Sequence, residues 1–131
     1  MSDQVLPFLM FSGRAEEAMR FYVSLFPEAR VIDIARYGKA APGAEGSVSR
    51  ARFSIGGQTI MCTDSVTDDA FSFTPSISLF VQCTSRERMR GLVERLSEGG
   101  KIVMPLDDYG FSKLFAWVAD RYGVSWQLNM G

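Results

Sequence analysis

The chain has 131 residues, 47% of them apolar and 22% charged, with a net charge of −1. That is enough for one soluble domain with its own core, and too little charge for an electrostatic footprint on nucleic acid or an anionic membrane. No histidine is present, which excludes Ser-His-Asp and Cys-His catalysis and any His-ligated metal.

The opening MSDQVLPF lacks the basic start of a signal peptide, and no apolar run is long enough to span a bilayer. The expectation is a cytoplasmic protein. Cys62 and Cys83 sit far apart in apolar runs and read as buried free thiols rather than a disulfide.

Residues 5–12, VLPFLMFS, suit a buried strand, with Pro7 at its start or on an edge. Gly13 breaks it. In residues 14–26, Ala15, Ala18, Met19, Tyr22, Leu25 and Phe26 recur at helical spacing and form one apolar stripe. Glu16 and Glu17 fall in the first turn, where the helix dipole favours negative charge, and Pro27 stops the helix. Residues 29–37 read as a strand. The Gly/Pro-rich stretch 38–47, GKAAPGAEGS, reads as a mobile loop, either a flap or a plain hairpin connection. SVSRARFSI and QTIMCTD then pair as strands across Gly56-Gly57. Residues 65–74 form a polar linker.

The pattern then restarts. Residues 76–83 predict a strand. Residues 85–100 predict a helix with Met89, Leu92, Val93 and Leu96 on one stripe, Ser85 as N-cap and Gly99-Gly100 as a left-handed C-cap. Strands follow in KIVMPLDDY, FSKLFAWVA and VSWQLN. The order β-α-β-β-β occurs twice, with corresponding elements about 70 residues apart: Met19-Arg20 answers Met89-Arg90. This predicts an α+β fold of paired βαβββ modules, the first at about 4–64 and the second at about 75–130, in a single domain over 1–131.

Each helix covers one face of its sheet and leaves the other open, so two curved sheets would enclose a cleft. Strand alternation assigns the faces. Ile77, Leu79 and Val81 are expected against the second helix, and Ser76, Ser78 and Phe80 in the cleft. Val124, Trp126 and Leu128 are expected in the core, with Ser125 and Gln127 in the cleft. In the first strand Phe8 and Met10 are expected under the helix, with Pro7, Leu9 and Phe11 facing the cleft. The alternation yields a concave surface of hydroxyls, one amide and aromatics.

PFLMFSGRAEEAMRFYVSLFPEARV (7–31), RYGKAAPGAEGSV (36–48), FSIGGQTIM (53–61) and DRYGVSWQ (120–127) together resemble the vicinal oxygen chelate superfamily, the glyoxalase/bleomycin-resistance fold. Within it they are most similar to the PhnB-like, demethylubiquinone methyltransferase-like branch. The resemblance implies a homodimer. It also places the superfamily's metal-ligand positions at Pro7, Ser76, Gln127 and near Met61 or Cys62, a set without imidazole or carboxylate, so no metal or other cofactor is expected. The Gly-rich stretch 38–47 follows neither a methyl-donor nor a phosphate-loop pattern, and methyl transfer is not expected.

Several residues carry two readings. Gln127 is a ligand-orienting amide or a structural hydrogen bonder. Trp117 lines the cleft or a subunit boundary. Tyr37 and Arg36 supply polar contacts at the cleft rim or simply end a strand. Asp64, Asp107 and Asp108 belong to solvated turns, or one of them, if buried, is a base. Cys62 is an inert core thiol or a reactive one. Two functions are open: a protein that binds a small molecule in a metal-free cleft, or an enzyme on a small oxygenated metabolite in which Gln127 and Tyr37 orient it and an Asp or Tyr moves the proton.

Overall fold

Two segments with the same order of elements build two separate sheets. The computed structural model describes residues 2–67, 71–111 and 113–131. It divides into two compact units, 1–71 and 72–131. The division falls inside the predicted linker 65–74, of which 68–70 lie outside the described residues, as does residue 112 of the predicted seventh strand.

The first unit runs β1 (Phe8–Phe11), α1 (Ala15–Leu25), β2 (Arg30–Arg36), β3 (Val48–Ile55) and β4 (Gln58–Asp64). Its sheet has the order β1-β4-β3-β2, with β1 parallel to β4 and the other pairs antiparallel. The second runs β5 (Leu79–Gln82), α2 (Arg86–Ser97), β6 (Lys101–Asp107), β7 (Leu114–Ala119) and β8 (Ser125–Met130). Its order is β5-β8-β7-β6, again with the first and last strands parallel. The α+β architecture and its internal repeat are as expected.

Each core is the seam between helix and sheet. Ala15, Ala18, Met19, Tyr22 and Leu25 of α1 are buried against Ala51, Phe53, Ile60 and Cys62, and the Tyr22 ring lies 6.2 Å from that of Phe53. In the second unit Met89, Leu92, Val93 and Leu96 of α2 are buried with Ala116, Val118, Trp126 and Leu128. Met19 and Met89, linked by the repeat, are both buried. Ser85 caps α2 as expected, its hydroxyl accepting from the Arg88 N–H at 3.1 Å. Gly99 takes the left-handed turn at φ 73°. Gly100 is required by space, because a Cβ there would stand 2.2 Å from the Ala119 carbonyl oxygen.

Helix α1 is capped from a distance. Its N-cap residue, Arg14, makes no side-chain cap. The carboxylate of Asp64, at the end of β4, does so instead. Oδ1 accepts from the N–H groups of Gly13 and Ala15, each at 2.9 Å, and Oδ2 accepts from the Val48 N–H at 3.0 Å. One buried side chain thus ties together the β1–α1 turn, the start of β3 and the end of β4. In the second unit Asp120 is buried in a comparable way but holds the local turn before β8. Oδ1 accepts from the N–H groups of Tyr122 and Val124 and Oδ2 from the Trp126 indole at 2.9 Å.

The predicted loop 38–47 folds around Tyr37. The Tyr37 N–H donates to the Ser47 carbonyl and its own carbonyl accepts from Gly46, both at 2.9 Å. Gly43 lies on the Tyr37 ring so closely that a Cβ would stand 2.4 Å from ring carbons. The stretch is therefore a hydrogen-bonded hairpin connection in this structure.

Among the described residues no helix is long and apolar enough to cross a membrane.

Removing the Asp64 carboxylate strands three inward N–H donors. Asp64→Ala is expected to cost at least about 3 kcal/mol in urea unfolding, and Asp64→Asn less, because one amide oxygen still accepts. A loss below about 1 kcal/mol for the alanine variant would show that water replaces these bonds.

Candidate functional site

Three of the polar residues singled out in sequence, Ser78, Ser125 and Gln127, come together on the open face of the second sheet. Register puts Phe80 and Trp117 on either side of Gln127, as neighbours of β8 on β5 and β7. Trp126 and Leu128 alternate to the other face and are fully buried. Ser125 is also buried, although its side chain belongs to the open face.

Four neutral side chains join into one hydrogen-bonded chain there. The Trp117 indole donates to Ser125 Oγ at 2.8 Å. Ser125 Oγ lies 2.6 Å from Ser78 Oγ. Gln127 Nε2 donates to Ser78 Oγ at 3.4 Å. Phe80, 59% exposed, flanks the chain on β5. Sequence reasoning places Phe115 on the strand face of Trp117 but does not join Tyr109 and Phe111 to it. Phe115, two residues before Trp117 on the same strand face, is buried, with the Phe111 and Tyr109 rings 5.0 and 6.2 Å away. The spacing Tyr109, Phe111, Phe115, Trp117 was the available signal.

Ser76, Leu9 and Phe11 are not placed as expected. β5 begins only at Leu79, because Pro75 and Ser76 form a turn. Ser76 is exposed there and pairs with Thr74 Oγ1 at 2.7 Å, while Ser78 takes the place in the chain. Ile77, expected against α2, is 75% exposed for the same reason. In β1 the faces are reversed. Leu9 is level with Cys62 and Phe11 with Asp64, both buried and on the helix-covered side. Phe8 and Met10 face outward and are exposed, and Pro7 precedes the strand. The parallel pairing with β4 sets this phase, and FLMF has no polar residue to reveal it.

Tyr37 belongs to the first unit. Its hydroxyl donates to the Asp64 carbonyl at 3.3 Å. Arg36 is engaged by α1: its guanidinium meets both Glu16 carboxylate oxygens, at 2.6 and 3.0 Å. Hydrogen bonds from Arg36 and then Arg20 hold the Glu16 carboxyl down at about 2. Asp64 and Asp120 are buried, but their oxygens are committed to N–H donors as described above. Asp107, the last residue of β6, and Asp108 after it are exposed, accepting from the N–H groups of Asp108 and Gly110 at 2.8 Å. The acid–base roles considered for Asp64, Asp107 and Asp108 thus gain no side chain aimed at the polar chain.

A family model described as 3-demethylubiquinone-9 3-methyltransferase matches residues 3–129. The chain is 46% identical to a PhnB protein of Bacillus cereus, itself described as a 3-demethylubiquinone-9 3-methyltransferase. Their structures superpose with a TM-score of 0.94 over 98% of this chain and all of that one. A glyoxylase/bleomycin resistance protein/dioxygenase domain from Frankia shares the fold at 14% identity and a TM-score of 0.70, over 100% of this chain and 93% of that one. So does a fosfomycin resistance protein of Listeria monocytogenes complexed with Mn(II), at 15% identity and 0.68, over 100% and 94%.

Neither group implied by these similarities fits the residues present. Among the described residues no three His, Cys, Asp or Glu side chains gather to hold a metal ion. The positions that the superfamily resemblance assigns to ligands carry Pro7, Ser76, Gln127 and Met61 or Cys62, and of these only Cys62 could become anionic. Burial first, and then the Asp64 charge, push its thiol up to about 12. A methyl donor built on a nucleoside is usually held at a Gly-rich strand-to-helix turn of a parallel sheet, and the mixed sheets here supply no such architecture. In the β1–α1 turn, Gly13 and Ala15 already donate to Asp64.

Cys62 is therefore an inert core thiol, and Cys83, also buried, has its thiol raised chiefly by burial. Native protein at pH 8 is expected to leave Cys62 unreacted with Ellman's reagent until denaturant is added. The raised thiol also fixes a sign: its contribution to stability is whole below the ordinary value of 9.0 and is lost as pH rises toward about 12. Replacing Cys62 by Ala should flatten that alkaline loss in urea titrations; an unchanged slope would assign it to other groups.

Proposed function

The chain belongs to the PhnB-like, 3-demethylubiquinone-9 3-methyltransferase family, which has the glyoxalase/bleomycin-resistance/dioxygenase fold, and within that family we propose a protein that binds a small, largely apolar molecule without a metal. One observation carries the reading: the Trp117–Ser125–Ser78–Gln127 chain on the open face of the second sheet. Neutral polar groups aligned on a surface otherwise lined by aromatic rings are the composition of a small-molecule site, where apolar area supplies affinity and a few fixed polar atoms supply orientation. Trp117 and Phe80 offer the rings for stacking. Sequestration needs no more than this. Methyl transfer finds no support in the residues, as argued above.

Thermal-shift screening of small aromatic compounds tests it. A true ligand at about 100 times its Kd stabilises by roughly 2.7 kcal/mol. That shift is expected to vanish in Phe80→Ala, whose ring is exposed and not needed for folding, and to shrink in Gln127→Leu. A hit that both variants keep in full would place the ligand elsewhere and end the proposal.

We further propose that two copies associate. Phe8 and Met10 of β1, and Ile102 and Val103 of β6, are large apolar side chains left exposed in the single chain, and exposed apolar groups of this kind mark association surfaces. Light scattering on the eluting protein should give twice the chain mass of 14.6 kDa; the mass of one chain across the micromolar range would refute association.

A further inference from the structure

The direction of each proton in the polar chain selects the ligand's chemistry. Trp117 Nε1 can only donate, so Ser125 Oγ accepts from it. Ser125 is 2% exposed and, among the described residues, makes no further side-chain hydrogen bond. Its own proton therefore has one acceptor in reach, Ser78 Oγ at 2.6 Å. Ser78 Oγ also receives Gln127 Nε2–H. Its two lone pairs are then both used, and its own O–H is left over. Ser78 is half-buried and outside the strand, so that O–H can turn to the open face. Gln127, also half-buried, keeps its Oε1 as an acceptor that the chain does not use.

The chain thus leaves two donors free, Ser78 O–H and the second N–H of Gln127 Nε2, beside one free acceptor, Gln127 Oε1, between the Phe80 and Trp117 rings. No ionisable side chain takes part in the chain. A carboxylate or fully ionised phosphate carries acceptors only, so it could take these donors but would leave the amide oxygen turned against its charge; Lys101, which register places on this face, stands level with Ala119 on β6, two strands from Ser125. A plain hydrocarbon would leave the donors and the acceptor unpaired, which costs free energy once water is displaced. Resting on the binding function proposed above, we infer that this face recognises an uncharged ligand carrying an adjacent acceptor and donor, of the amide or lactam class, on an aromatic or apolar body. The ligand's carbonyl accepts from Ser78 Oγ, and its N–H donates to Gln127 Oε1.

The test titrates ¹⁵N-labelled protein with benzamide, benzoate and toluene, following the Trp117 indole and Gln127 side-chain amide resonances. Benzamide is expected to shift both and to bind at least roughly tenfold more tightly than benzoate or toluene. Ser78→Ala, a small change at a half-buried residue outside the strands, is expected to bring benzamide down to the level of toluene. Benzoate binding as well as benzamide, or a benzamide preference that survives Ser78→Ala, would overturn the donor–acceptor assignment while leaving binding at this face intact. If none of the three moves these resonances up to its solubility limit, the binding reading fails with it.

Discussion

A buried carboxylate with every oxygen engaged is the constraint on which each unit depends. Asp64 takes three N–H groups from three parts of the first unit. Without it, the first turn of α1 would have no side-chain cap and the start of β3 would lose a partner. Burying a charge is expensive unless it is fully hydrogen-bonded, and here the N-terminus of α1 adds a favourable dipole. Asp120 solves a similar problem differently. It holds the tight turn before β8 and orients the Trp126 indole in the core. In both cases a residue type that often serves catalysis is consumed by architecture.

That consumption shapes what remains for chemistry. With Asp64 and Asp120 turned inward, the hydrogen-bonded chain on the second open face is built from the polar atoms of serine, tryptophan and glutamine. A surface of neutral dipoles discriminates by matching donors to acceptors, because an unmatched group costs more than a matched one gains. Asp64 has one more consequence. It occupies the N–H groups of a strand-to-helix turn that would otherwise suit an anion.

Much of this was legible in sequence, and the reasons it stopped are local. Helical spacing marked both stripes because α1 and α2 have polar residues between the apolar ones. Alternation marked β8 because Ser125 and Gln127 interrupt Val124, Trp126 and Leu128. In FLMF every residue is apolar, so alternation has no phase, and the parallel register with β4 decides it. The repeat held the answer: Leu9 and Leu79 share the 70-residue offset of Met19 and Met89, and Leu79 was read on the helix side. Ser76 was misplaced because Pro75 delays the strand. Asp64 could not be recognised as a cap, since its partners lie 49 and 51 residues earlier in the chain, beyond any local pattern.

The same offset separates the two open faces in chemistry. In the parallel pairs Leu9 meets Cys62 and Leu79 meets Trp126, so Met61 and Thr63 in β4 stand where Ser125 and Gln127 stand in β8. Phe8 and Met10 correspond to Ser78 and Phe80. Thr63 spends its hydroxyl on the Ser49 carbonyl at 2.8 Å within its own sheet, and Met61, Phe8 and Met10 offer no strong hydrogen-bonding group. The two open faces therefore differ although both modules have the same topology: the first sets Met61 beside the Arg52–Asp33 ion pair, and the second carries a chain of aligned dipoles. A binding site on the second face, as proposed above, would owe its selectivity to that chain, because Met61, Phe8 and Met10 at the corresponding positions cannot reproduce its donors and acceptors.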